Sequence, residues 1–172
     1  MNKPRLPEWV WRLLARSAGH RHYPLVVALI AFLATATFSF PFVAVLIPAV
    51  LIAPRRWLLL GLLTGLASGA GGALLSGIFH FFGHDVALAH FPQLVDTANW
   101  QTLSDWLDHY GLFAIAFVAG SPMPQTPVIF IYSLANPSLP GVFIAVALGK
   151  SVKYVGLAWL TARYPARFIG YR

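Results

Sequence analysis

The chain has 172 residues, of which 58% are hydrophobic and 10% charged, and its mean hydropathy is +0.70. Soluble domains carry about 25% charged residues, so the composition excludes an ordinary water-soluble domain and points to a polytopic membrane protein; the longest watery stretch, 84–110, is only 27 residues long. With no cysteine there is no disulfide, thiolate metal site or cysteine nucleophile. The net charge of +7 lies beside apolar spans and not on a soluble basic face, so anionic lipid head groups, and not nucleic acid, are the expected partners.

In chain order, 1–23 is basic and lacks an apolar core followed by a small-residue cleavage site, so it reads as mature protein and not as a signal peptide. Within it Leu6, Trp9, Val10, Leu13 and Leu14 recur at helical spacing among Arg5, Arg12 and Arg16. That pattern predicts a short amphipathic helix in the cytoplasmic head-group layer, with a frayed basic tail as the plainer reading. Residues 24–163 read as one membrane domain. Its first segment, 24–54, is apolar throughout but too long for one upright span, since thirty helical residues extend about 45 Å against a core of about 30 Å. Pro41 and Pro48 interrupt it, which predicts a hairpin that returns the chain to the side of Arg55 and Arg56.

A full span is expected over 57–82, where Gly61, Gly65, Gly69, Ala73 and Gly77 recur every four residues as a helix-packing stripe. The next segment, 84–110, holds four of the five acidic residues and no Lys or Arg, with Trp100, Leu103, Trp106 and Leu107 at helical spacing; it predicts an amphipathic helix on the outer surface. A second hairpin follows over 111–136, broken at Gly120–Pro127 by Pro122, Pro124 and Pro127. Broken backbone between apolar flanks is tolerated at membrane depth only where protein or a wet cavity surrounds it. The last span is 141–161, and a basic cytoplasmic tail closes the chain at 163–172.

Charge placement tests this folding. With both broken segments as hairpins, ten of the twelve basic residues are cytoplasmic and the acidic segment is outside, as the positive-inside rule requires. The predicted fold is therefore all-α: two re-entrant hairpins and two full spans in an inverted repeat, plus interfacial amphipathic helices, with both termini cytoplasmic in a bacterial-type inner membrane. The hairpin tips would meet near the midplane.

Lys150 falls about 14 Å into a last span that starts at Gly141, and Lys153 follows on the same face. Intramembrane cations are costly unless paired or hydrated, and no Asp or Glu lies in a predicted span. An anion from outside the protein is the natural partner, with Ser121, Gln125 and Thr126 as additional binding groups. Alternatively, these polar side chains satisfy only the broken backbone, and a span over 128–149 would make both lysines interfacial. His80 and His84, four apart with Asp85 and His90 nearby, match no recognisable metal motif. No Ser-His-acid set, phosphate-binding glycine loop or paired carboxylates is present, so no catalytic residue, metal or cofactor is assigned.

From Trp106 to Arg163 the chain resembles the DedA superfamily, the SNARE-associated or VTT-domain membrane proteins. The residues that carry the likeness are Tyr110-Gly111-Leu112-Phe113, then Gly120-Ser121-Pro122-Met123-Pro124, then Phe143 and Gly149-Lys150-Ser151-Val152-Lys153-Tyr154. The first half, Pro41 to Gly77, is similar in layout only. The resemblance implies inverted-repeat re-entrant hairpins and redistribution of lipid, a polyprenyl phosphate or phospholipid, with proton coupling in some members. Where it implies acidic residues in the first hairpin and arginines around the proline motif, this chain has Phe42, Val43 and Ala44, and Ala119 and Gln125. The expected function is binding and translocation of an anionic lipid, without enzyme chemistry. A scaffold that assembles through the glycine stripe, as a homo-oligomer, and a small-molecule exporter are the alternatives.

Overall fold

The computed structural model describes residue 16 and residues 20–37, 42–83, 98–134 and 137–165, the first seven of 98–134 by backbone only. All of the expected helix over 7–17 except Arg16, together with Pro41, the acidic and histidine positions 84–96 and the tail beyond 165, lies outside these residues. Among the described residues six α-helices follow one another: α1 (Tyr23–Thr37), α2 (Val43–Ile52), α3 (Trp57–Ile78), α4 (Ala98–Gly120), α5 (Thr126–Leu134) and α6 (Leu139–Arg163). A 3-10 turn at Pro54–Arg56 leads into α3, and a π turn at Phe79–Gly83 leaves it. The described residues contain no strand. Two helical stretches, Pro54–Phe82 and Leu139–Arg163, are long and apolar enough to cross a membrane, whereas α1, α2 and α5 extend only about 22, 15 and 14 Å.

The bundle is built around α3 and α6, which run antiparallel in close contact. Gly61 faces Val155, Gly65 faces Ser151, Gly69 faces Ala147, and Gly77 comes within reach of Leu139. Each four-residue step on one helix is thus matched on the other. A Cβ would come within 2.7–2.8 Å of the α6 backbone at Gly61, Gly65 and Gly69, and at Gly65 it would also meet the Ser151 hydroxyl, but at Gly77 it would find only the Leu139 side chain, at 3.9 Å, while Ala73 is half-buried. Gly72, against Val146, continues the seam instead. The reason is geometric: a helix turns 3.6 residues per revolution, so a strict four-residue repeat drifts about 40° per step and leaves the contact face after three members.

Each long helix carries a parallel companion. α1 runs along α3, with Arg56 Nη1 donating to His20 O at 3.1 Å at one end and Gly71 against Phe32 O at the other. α4 runs along α6, from Leu112 beside Gly141 to Gly120 beside Gly149. α2 turns back beside α1, so that the Tyr23 hydroxyl donates to Ala49 O at 3.1 Å. α5 turns back along α4, so that Tyr132 packs where Gly111 has no side chain. Arg55, Arg56 and Arg163 consequently gather at one end of the bundle. Asp105 and Asp108 lie at the other, in the part of α4 that precedes Leu112.

Three expectations need correction. Pro48 does not break the first hairpin: α2 continues through it, and Val45, Leu46, Ala49 and Val50 around it are fully buried in the core with α1 and α6. The ring removes one backbone bond, and packing on both sides holds the turn. Pro127 is the second residue of α5, where a missing N–H leaves no helical bond unmade, so Pro122 and Pro124 make the break. Finally, the surface helix and the arm after Tyr110 are not separate. They form the single helix α4, because Gly111 serves close packing of Tyr132 and not chain reversal.

The outer surface is apolar. Leu25, Leu29 and Leu33 on α1, Leu58, Leu62 and Leu66 on α3, Phe113 and Phe117 on α4, and Ile144, Leu148 and Val152 on α6 are 42–78% exposed. Helices apolar on both the packed and the open face are compatible with insertion into lipid.

Candidate functional site

Lys150 is the twelfth of the 25 residues of α6, about 16 Å from its start. Ser138, whose hydroxyl accepts from Gly141 N at 3.2 Å, caps that start, so the helix does not continue from α5 and the alternative span over 128–149 is absent. The Lys150 Nζ donates to Thr35 Oγ1 at 3.0 Å, on the last turn of α1, and lies 5.8 Å from the centre of the Tyr154 ring, within the range of cation–π attraction. Tyr154 in turn packs against Phe42, at 5.3 Å between centroids.

Around this lysine lies a cleft of about 460 Å³, lined by the end of α1 (Ala34, Thr35), the entry to α2 (Phe42), the break after α4 (Pro122 to Gln125), Thr126 and α6 (Lys150, Tyr154). Both hairpins therefore contribute their tips to one space, at mid-height of the two long helices. Its volume falls within the usual range for small-molecule and head-group pockets.

The break itself is held by its own polar groups. The Ser121 hydroxyl donates to Val118 O at 2.9 Å and accepts from Met123 N at 3.1 Å, replacing bonds that the prolines remove. The Ser121 carbonyl accepts from Lys153 Nζ at 2.6 Å. Gln125 O accepts from Ile129 N at 3.1 Å and so starts α5. Ser121 and Lys153 are thus engaged with each other and with the backbone, whereas Lys150, Gln125 and Thr126 line the cleft. The Gln125 side-chain oxygen is buried there with no partner among the described residues, a costly condition that a ligand or water donor would relieve.

Electrostatically the cleft holds one cation and no carboxylate among the described residues. Hydroxyl and amide groups beside a lysine, with an aromatic wall, can bind a phosphate or carboxylate; they offer neither a nucleophile–base pair nor a metal set. The described residues contain no group of three potential metal ligands; His80 Nδ1 lies 3.1 Å from Ser133 O, while His84 is outside the described residues. Sequence reasoning missed Thr35 and Phe42. Thr35 is one of two threonines in α1, a faint signal, and nothing in the local pattern marks Phe42. No protein-family model, curated protein or solved structure matches the chain.

Proposed function

We propose that the chain is an integral membrane protein that binds an anionic lipid head group at Lys150 and carries it across the bilayer by rocking of two inverted halves. The observation that bears most weight is Lys150 Nζ itself: a mid-helix cation, without a carboxylate partner among the described residues, facing a cleft between two hairpin tips. Its ligand on this reading is the phosphate of a polyprenyl phosphate or phospholipid, with Gln125 and Thr126 completing the contact and Tyr154 walling it.

The helix packing supports an inverted repeat. In each half a first arm runs parallel to its own long helix, α1 on α3 and α4 on α6, while the long helices are antiparallel. In each, a carbonyl near the end of the first arm meets a glycine of the long helix, Phe32 O at Gly71 and Ala116 O at Gly149. The hairpins then enter from opposite faces and are re-entrant, since their returning arms are too short to cross. The gathering of Arg55, Arg56 and Arg163 at one end and Asp105 and Asp108 at the other fits a bacterial-type inner membrane with the basic end cytoplasmic. The resemblance to the DedA superfamily points the same way. The scaffold alternative loses its main support, because Gly61, Gly65 and Gly69 are occupied within the chain by α6.

The test is translocation of labelled lipids in proteoliposomes by wild type, Lys150→Gln and Lys150→Gln/Lys153→Gln, with zwitterionic lipid as control. Anionic lipid should move in wild type and stop moving in both variants. Equal movement of zwitterionic lipid, or unchanged transport in Lys150→Gln, refutes the proposal.

A further inference from the structure

At the basic end of the bundle a second cleft, of about 400 Å³, lies between the start of α3 and the end of α6, lined by Pro54, Arg55, Trp57, Trp159, Ala162 and Arg163. Its composition follows from the seam. Gly61 faces Val155, so one turn further out Trp57 and Trp159 stand level with each other, and the arginines come just beyond. The order from the bilayer outward is apolar helix, paired indoles, paired guanidinium groups.

We infer that this cleft is a binding site for one anionic phospholipid, separate from the Lys150 cleft, with Arg55 and Arg163 on the head-group phosphate and an acyl chain along Trp57 and Trp159. Two independent features carry it. Arg55 and Arg163 are exposed and have no carboxylate partner among the described residues, whose only acids, Asp105 and Asp108, are at the opposite end. Arg56, by contrast, is bound to His20 O and does not line the cleft. Indoles at the membrane–water boundary prefer the level of the glycerol backbone, which sets the phosphate at the height of the two guanidinium groups; each can hold it through paired N–H donors. The lipid would staple the ends of the two long helices, whichever cargo the central cleft takes.

The inference rests on the membrane placement of α3 and α6 and not on transport. Native mass spectrometry of the full chain in detergent, with phosphatidylglycerol, phosphatidylcholine or inorganic phosphate added, tests it. Wild type should retain one phosphatidylglycerol in preference to phosphatidylcholine. Arg55→Gln/Arg163→Gln should weaken that retention about thirtyfold with an unchanged circular dichroism spectrum, and Arg55→Lys/Arg163→Lys should keep most of it. The same adduct should survive Lys150→Gln, which removes only lipid held in the central cleft. Equal retention of the two lipids by wild type overturns the inference even if the arginine variants misfold. Undiminished retention in Arg55→Gln/Arg163→Gln, loss of the adduct in Lys150→Gln, or binding of inorganic phosphate with no lipid retained would also overturn it.

Discussion

Replacing Gly65 by alanine probes the axis of the fold. A methyl group there would lie 2.8 Å from Ser151 Cα and 2.9 Å from Ser151 N, where ordinary contact begins at 3.4 Å. The obstacle is backbone, so no rotamer change relieves it, and α6 must retreat by about 0.6 Å along this part of the seam. A gap of that size forfeits about a quarter to a half of the dispersion energy of each facing atom pair, and overpacking of this kind costs about 1–3 kcal/mol in all. Alanine is also a better helix former than glycine by about 1 kcal/mol, which would mask part of the loss. Gly156 supplies the internal reference: it is in the interior of α6 with nothing within 4 Å of the added carbon, so Gly156→Ala takes the same propensity gain without the clash. In reversible unfolding by sodium dodecyl sulfate in mixed micelles, followed by circular dichroism, Gly65→Ala should be less stable than Gly156→Ala by about 1–3 kcal/mol. Equal stability of the two variants would mean that α3 and α6 are not in backbone contact, and the packing argument would fail.

Two further outcomes follow from the hairpins. In the otherwise cysteine-free chain, Arg56→Cys in intact cells should react with a permeant maleimide but not an impermeant one, and Asn99→Cys with both; equal external labelling at the two sites would refute two re-entrant hairpins. Ser76 and Ser133 share a fully buried hydrogen bond of 2.7 Å that ties α3 to the end of α5. A double-mutant cycle to alanine should give a coupling of about 0.6–1.7 kcal/mol, the range for such bonds between membrane helices, and a zero coupling would mean that this contact does not hold the second hairpin.

Much of the architecture was legible in the chain because its signals are local. Pro122 and Pro124 mark the break, and the spacing of Gly61, Gly65 and Gly69 marks a face. The misreadings have the same origin. Pro48 looks like an interruption in isolation, yet it sits inside α2 because neighbouring helices hold that turn, and the boundary drawn after Tyr110 falls inside α4. Ala73 and Gly77 continue the repeat in sequence but rotate off the contact face in three dimensions.

The sequence alone determined an all-helical chain with two helices apolar and long enough to cross a membrane, and set Lys150 among apolar residues without a nearby carboxylate. Composition, proline chemistry and helical period suffice for that, since each acts over a few residues. The tertiary structure alone decided that Lys150 meets Thr35, 115 positions away, that Lys153 is spent on the Ser121 carbonyl, and that Phe42 and Gln125 wall the same cleft. Contacts between helices in an apolar bundle arise from shape and backbone approach, not from any pattern within one helix, so no stretch of the chain read separately contains them.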